Sequence, residues 1–428
     1  MCRRWRALCS EDALWRPLCT HGFPAAVARV GLPASSFQAW YADRARCSAR
    51  WLKAQPCSVL TLAGHAGTVF GVCRSPLQHG VVLSAGEDCV LRAWDCNTGS
   101  ASSTHLSPTL GGVFNVFAWN YAESDPQNAL VAVAGFSGDV VLASLLGQKD
   151  PRKVLDLSQA VVCAGHAVPV VSVRGRGNMM ASCSFDGTVR LWRTDTALEG
   201  VRHRGSNGAC DTVSPEQLPL FTSSAAVLVD PPGPVAAAAS PHERSVSCIC
   251  FPPGAGEPHT LLRGGNDGLI KCWDIEKGVI SQTLWGHTGW VWCLEHAGDA
   301  GGHCYISGAT DGAVRLWDVR ENGRGARSGG AVATCGSADS GPVAGLSLCP
   351  PGGHRAGLAC FVTGAFDGGV RIYDMRMLGS DSDRCMALLG QPLRLHADRV
   401  TRVVATDTFA VSASFDSTLR VWRFDTVF

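Results

Sequence analysis

The chain has 428 residues, of which 46% are apolar and 17% charged, with a formal net charge of +1. That composition suits a large packed core and excludes the strong basic bias of a dedicated nucleic-acid or membrane-surface binder. The charge is uneven: residues 1–56 hold nine Lys/Arg against three Asp/Glu. The 20 cysteines are scattered, with no C-x-x-C pair of zinc-site spacing, and most stand in apolar runs where Cys acts as a small hydrophobe. No leading signal stretch and no apolar run of about 20 residues is present, so a soluble intracellular protein, cytoplasmic or nuclear, is expected.

Residues 1–20, MCRRWRALCSEDALWRPLCT, have a helical pattern, with Trp5, Leu8, Leu14 and Trp15 on the apolar surface. Residues 21–36 are rich in Pro, Gly, Ala and Ser and form a connector. Residues 37–53, FQAWYADRARCSARWLK, predict a second, basic helix that closes the 21–57 segment. From Ser58 a repeated figure takes over. Ser84–Asp95 reads SAGEDCVLRAWD, Ser182–Arg193 SCSFDGTVRLWR, Arg263–Asp274 RGGNDGLIKCWD, Ser307–Asp318 SGATDGAVRLWD, Thr363–Asp374 TGAFDGGVRIYD and Ser412–Arg423 SASFDSTLRVWR. Each is a strand, a tight turn and a second strand closing in an aromatic residue. Gly64-His65, Gly165-His166 and Gly286-His287 lead three of the copies, and His396 leads the last without its Gly.

These motifs resemble the WD-repeat family over residues 58–428, which implies an all-β, seven-bladed propeller of four-stranded blades behind a short α-helical N-terminal segment. The closing aromatics are Trp94, Trp192, Trp273, Trp317, Tyr373 and Trp422. The double-length gap after Trp94 holds a weak copy, VAVAGFSGDVVLAS, at 131–144, which places a degenerate blade at 106–150. Residues 194–244 have no Trp-Asp figure, and only Ala225 to Val229 alternate; they are expected to be a strand and a long, largely disordered loop. Eight blades is the alternative count. Only six residues follow the closing Trp422, too few for an outer strand, so Ser58–Leu62 is expected to pair with Leu419–Trp422 and close the ring.

The N-terminal segment adds a second resemblance. Cys2-Arg3-Arg4-Trp5, Leu8 and Leu14-Trp15-Arg16 with Leu18-Cys19 are similar to the last helix of an F-box, and the aromatic-led basic helix is similar to the linker of F-box/WD-repeat proteins. The match covers about the last third of an F-box, without the Leu-Pro-led helices that precede it in that family. It implies that Trp5, Leu8, Leu14 and Trp15 face a Skp-type adaptor of a cullin ligase.

In the WD-repeat family a His, a Ser/Thr, the turn Asp and the strand Trp form one hydrogen-bonded network per blade. The sets implied here are His65, Ser84, Asp88, Trp94; His166, Ser182, Asp186, Trp192; and His287, Ser307, Asp311, Trp317. A Ser, a His and an Asp invite a hydrolase reading, but three similar sets in one chain argue for a repeated structural device. No phosphate-binding Gly loop, H-E-x-x-H or G-x-S-x-G is present, so no catalytic residues, metal or cofactor are expected. What remains is recognition. Residues preceding the turn Asp point to one face, and three of the six are Phe: Phe185, Phe366 and Phe415. Phe70, Trp290, Trp292 and Arg399 start strands on the same face, and Trp and Arg are residue types enriched at interface hot spots.

Two functions follow. One is the substrate-recognition subunit of a Skp–cullin–F-box ubiquitin ligase, non-catalytic itself and binding a protein substrate or peptide on that face. The other is a WD-repeat interaction scaffold without a ligase link. Neither involves nucleic acid or a membrane. The few basic residues on the face favour apolar or aromatic determinants over multiply phosphorylated ones.

Overall fold

The computed structural model describes residues 15–17, 19, 37–120, 129–145, 154–194, 220–221, 226–229, 245–253, 258–297, 303–320, 330–335, 341–349, 360–375 and 386–425. Seven antiparallel sheets follow one another. With strands a to d counted from the central channel outward, blade 1 has a at Val69–Arg74, b at Val81–Gly86, c at Val90–Asp95 and d at Ala101–His105. Strand a then recurs at Val113–Asn120, Val170–Arg176, Val246–Cys250, Val291–His296, Val343–Leu348 and Val400–Ala405 in blades 2 to 7. The ring closes as expected. Ser58–Ala63 is strand d of blade 7 and pairs with Thr418–Arg423, Leu62 opposite Leu419 and Val59 opposite Trp422.

Blade 2 runs further than the weak copy suggests. Its strand d is Leu155–Cys163, beyond residue 150, and Leu220–Phe221 adds a short parallel strand outside it. Ala226–Val229 pairs with Thr188–Leu191 as strand d of blade 3. The alternating run within 194–244 thus supplies a blade's outer edge; the rest of that stretch lies outside the described residues.

The alternation of the repeats sets the core. In each b strand nearly every residue is buried, as in Phe409–Ser414. Apolar clusters form where the face of one blade meets the next, as where Val69, Val72, Val82 and Trp94 of blade 1 meet Phe409, Val411 and Leu419 of blade 7. Glycine permits the closest approaches between neighbouring a strands. A Cβ on Gly71 would lie 2.8 Å from Val116 N, and one on Gly345 2.7 Å from Val403 N.

Helix α1, Phe37–Leu52, lies on the end of the propeller opposite the b–c turns. Its buried residues Asp43, Cys47, Ser48 and Trp51 recur at helical spacing. Trp51 stacks on Phe424, centroids 3.8 Å apart, and its Nε1 donates to Asp407 O at 3.0 Å. Arg50 Nη1 donates to Phe424 O at 3.1 Å. Ala54, at φ 48°, takes the left-handed conformation that turns the chain out of the helix towards Ser58. Trp15 packs on Tyr41 of α1, centroids 5.5 Å apart. Trp5, Leu8 and Leu14 lie outside the described residues.

Candidate functional site

Among the described residues, four blades carry a complete polar tetrad. His65 Nδ1 meets Asp88 at 2.8 Å, His65 Nε2 meets Ser84 Oγ at 2.7 Å, and Trp94 Nε1 donates to the same Oγ at 2.7 Å. The inventory of donors fixes the direction of a neutral set. A carboxylate only accepts, so Nδ1–H donates to Asp; Nε2 then accepts the Ser hydroxyl, whose oxygen accepts the Trp N–H. His166, Ser182, Asp186 and Trp192 repeat it at 2.9 Å for each of the same three contacts. His287, Ser307, Asp311 and Trp317 do so at 3.0, 2.8 and 2.7 Å. His396, Ser412, Asp416 and Trp422 form a fourth, complete without the leading Gly.

Burial alone would raise the Asp311 carboxyl. The hydrogen bond and charge of His287 outweigh it and hold the pKa down to about 2. Asp88, Asp186 and Asp416 are held below the usual carboxylate range for the same reasons. The Ser oxygens sit at the blade centre and the His side chains are sealed from solvent. Nothing there presents a nucleophile to a substrate; the tetrads hold strands b and c to the loop before strand a.

The face bearing the b–c turns is different. In all seven blades the pairing of strand a with strand b slips by one residue just after the first Val. Such a bulge re-aims the unpaired side chain. The residues at the slip are Phe70, Phe114, Val171, Ser247, Trp292, Ala344 and Thr401, in blade order. Five of the predicted residues join three of these in one aromatic belt. Phe70 stacks on Phe114 at 5.2 Å and meets Phe136 and Phe415 edge-on at 5.6 and 5.5 Å. Phe114 reaches Phe185 at 6.1 Å. The Arg399 guanidinium bridges Phe415 and Phe366 at 5.8 and 5.1 Å, and Phe366 reaches Trp292 at 6.2 Å. Trp292 continues to Trp290 at 6.4 Å, and Trp290 is 44% exposed, a large apolar group left facing solvent.

All seven predicted face residues, Phe70, Phe185, Trp290, Trp292, Phe366, Arg399 and Phe415, therefore lie on this belt. Phe114 and Phe136 complete it. Their signals are present in the sequence, since Phe136 precedes the turn in the weak copy and Phe114 follows the first Val of its strand, as Phe70 does. Blade 4 is the gap, with Ser247 at the slip and Asn266 at the turn. Glu87 and Thr310, the turn residues of blades 1 and 5, are committed elsewhere. The Glu87 carboxylate accepts from Thr68 N at 3.1 Å, and Thr310 Oγ1 accepts from Trp290 N at 2.8 Å.

Inside the belt is a cavity of about 50 Å³ lined by Phe70, Phe114, Trp292, Ala344, Phe366, Thr401, Arg402 and Phe415. Deeper in the channel, Arg174 stacks on Phe117 at 4.9 Å and pairs with Glu295 at 3.3 Å, joining blades 3 and 5. Burial pushes the nearby thiol of Cys293 up to about 12, so it stays protonated. No group of His, Cys, Asp and Glu suited to a metal ion occurs among the described residues.

Family and structural comparisons agree with this architecture. The WD domain, G-beta repeat (WD40) matches at residues 56–95, 158–193, 236–274, 278–318 and 389–423. The chain carries five WD40 repeats within its seven-bladed propeller. No F-box domain is detected, and no matched segment reaches residues 1–55. The propeller is 26% identical over 273 residues to the nuclear distribution protein nudF of Emericella nidulans, covering 56% of this chain and 57% of that one. It is 25% identical to the ribosome biogenesis protein WDR12 homolog of Chlamydomonas reinhardtii, covering 72% and 65%. The chain thus spans less than two thirds of these relatives' length. The crystal structure of the WD40 propeller domain of Doa1 superposes with a TM-score of 0.56 at 19% identity, over 85% of this chain and 94% of that one. No helix among the described residues is long and apolar enough to cross a membrane.

Proposed function

We propose that this propeller is a protein-interaction scaffold whose partner seats on the aromatic belt around the channel mouth. The observation that carries this is the continuity of the belt. Aromatic groups of blades 3, 2, 1 and 7 touch in sequence, as do those of blades 6 and 5, with Arg399 bridging blades 7 and 6, while the polar tetrads stay buried and committed to the fold. Large apolar and aromatic groups gathered on one face, with Arg among them, are the composition of interface hot spots. The relatives support the class of function, since WD40 propellers serve as platforms for protein partners. The test is affinity capture from cell extract with wild type and with Phe185, Phe366 and Phe415 changed together to Ala. The triple variant is expected to keep its melting profile and lose its partners; unchanged capture overturns the placement of the face.

A second reading, a substrate receptor of a Skp–cullin ubiquitin ligase, is favoured by one observation. Helix α1 is anchored on the end opposite the belt, with Trp15 against it, so an adaptor held by residues 1–20 would leave the belt free for a substrate. Co-purification of a Skp-type adaptor with the full-length gene product is the expected result, lost on changing Trp5, Leu8, Leu14 and Trp15 to Ala. Absence of the adaptor leaves the scaffold as the function.

A further inference from the structure

Residues 230–244, DPPGPVAAAASPHER, join the end of blade 3 to the start of blade 4 and lie outside the described residues. Both of their anchors are on the face that carries the belt. On one side Val229, the end of the outer strand of blade 3, stands opposite Thr188, just after the b–c turn. On the other side Ser245 Oγ donates to Phe185 O at 2.9 Å, and Ser245 O accepts from Asn266 N at 2.9 Å. The chain thus returns to the propeller on a belt residue. It does so beside blade 4, where the belt is open and Ser247 and Asn266 stand in place of aromatic groups.

Pro231, Pro232 and Pro234 have no N–H, so this stretch cannot extend the ladder that Ala226–Val229 begins. It is suited instead to polyproline II, in which three residues make one turn and Pro231 and Pro234 fall on one side. Such helices dock in grooves lined by aromatic side chains, since their shape is fixed before binding. The belt has that lining. Phe70, Phe114, Phe136 and Phe185 are each half-buried, with ring contacts of 5.2 to 6.1 Å. Reach permits the encounter. The outer strand lies three strand spacings from the channel, about 14 Å. Residues 230–234 in polyproline II cover about 16 Å, and residues 235–244 return to Ser245 with length to spare. We propose that Pro231–Pro234 is the belt's own ligand, seated in cis across Phe185, Phe114 and Phe70, so that a partner reaches the belt by displacing it. A short tether holds a segment at an effective concentration of the order of 1 mM, enough to fill a groove of weak intrinsic affinity.

This assignment rests on the belt being the partner face, and the experiment separates the two. The full chain is compared with a variant carrying Pro231→Ser, Pro232→Ser and Pro234→Ser by hydroxyl-radical footprinting read by mass spectrometry. Oxidation of Phe70, Phe114 and Phe185 is expected to rise at least threefold in the variant, while that of the buried Phe409 stays unchanged. A labelled peptide, acetyl-DPPGPVAAAAS-amide, is expected to bind the variant, and to bind the wild type at least tenfold more weakly because the tethered copy competes with it. Adding Phe185→Ala to the variant is expected to abolish that binding. Equal oxidation in the two proteins overturns the cis ligand, and the belt as partner face then stands or falls by capture with Phe185, Phe366 and Phe415 changed together. Peptide binding that survives Phe185→Ala places the segment off the belt and also overturns the proposal. Protection that persists in the variant and grows with protein concentration identifies a second copy of the chain as the occupant, and overturns it too.

Discussion

Blades 1, 3, 5 and 7 and blades 2, 4 and 6 solve the same packing problem in two ways. The odd blades each have Ser and Trp ten residues apart at matching positions: Ser84 and Trp94, Ser182 and Trp192, Ser307 and Trp317, Ser412 and Trp422. In every case one hydroxyl satisfies both the His and the Trp. The even blades depart from this, each differently. Blade 2 has Val133 and Ala143, both fully buried, and removes the polar groups altogether. Blade 6 has Thr363 hydrogen-bonded to Tyr373, and its turn Asp367 grips Arg371 at 3.1 Å and Arg394 at 3.0 Å instead of a His. Blade 4 has Arg263 in the Ser position, and the buried Nε1 of Trp273 has no partner among the described residues. A blade therefore does not require the tetrad. It requires that the indole or phenol closing strand c either find a partner or be replaced by an apolar residue, and blade 4 leaves the Trp273 N–H without one among the described residues.

The largest effect that would test this difference is Ser307→Ala. It strands His287 Nε2 and Trp317 Nε1 together, and each buried unsatisfied group costs about 1–3 kcal/mol, so a loss of roughly 2–4 kcal/mol is expected in urea unfolding. Thr363→Ala in blade 6 strands one hydroxyl and should cost about half as much. Equal losses would mean that the tetrad is no more cooperative than its substitute. A sharper contrast comes from replacing Trp with Phe. In blade 3, Trp192→Phe removes the donor that Ser182 accepts and should cost about 1–3 kcal/mol, bond and packing together. In blade 4, Trp273→Phe removes a donor that bonds to nothing, so the lost ring volume is offset and the change should stay within about 1 kcal/mol. If Trp273→Phe is as harmful as Trp192→Phe, packing rather than hydrogen bonding accounts for the tryptophans.

The smallest effect is one of pH. Burial holds the pKa of His396 below 6.5, against the pull of Asp416. Between the two values the unfolded chain binds more protons than the folded one, so the stability contributed by neutral His396 is intact above pH 6.5 and is lost as the pH falls below it. The turn carboxylates stay ionised until far lower pH, since their folded values are depressed. Stability should therefore fall gently from pH 7 to 5.5, with faster hydrogen exchange in residues 400–423 after correction for intrinsic rates. His396→Gln should flatten that slope; an unchanged slope would show that another group titrates.

Much of this was legible before any coordinates. The repeated Ser–Asp–Trp figure reports blade number and register because its residues must meet at fixed distances across two strands. The closing strand follows from a count of strands. Blade 2 is the least visible, because its solution is apolar and Val133 and Ala143 leave no polar mark to find. Three belt residues are read from a single position before the turn Asp. Arg402 escapes such a reading, since it stands out only against the ring of seven equivalent positions, the other six of them small or neutral. That is a property of the assembled channel, which no single repeat contains.

The closure of the ring also has a bearing on synthesis. Cys57 and Arg423 touch across 366 positions of sequence. Ser58–Ala63 is made before any of the blades and needs Thr418–Arg423, made after six of them, as its hydrogen-bonding partner. Helix α1 is in the same position, since its Trp51 stacks on Phe424. The leading end of the nascent chain must therefore remain unpaired while six blades form behind it. Thr418–Arg423 must leave the ribosome before the seventh blade can exist. A stop codon just before Thr418 would spare every repeat but the last and still leave the ring open, with the helix undocked and two bare strand edges exposed for another chain to join.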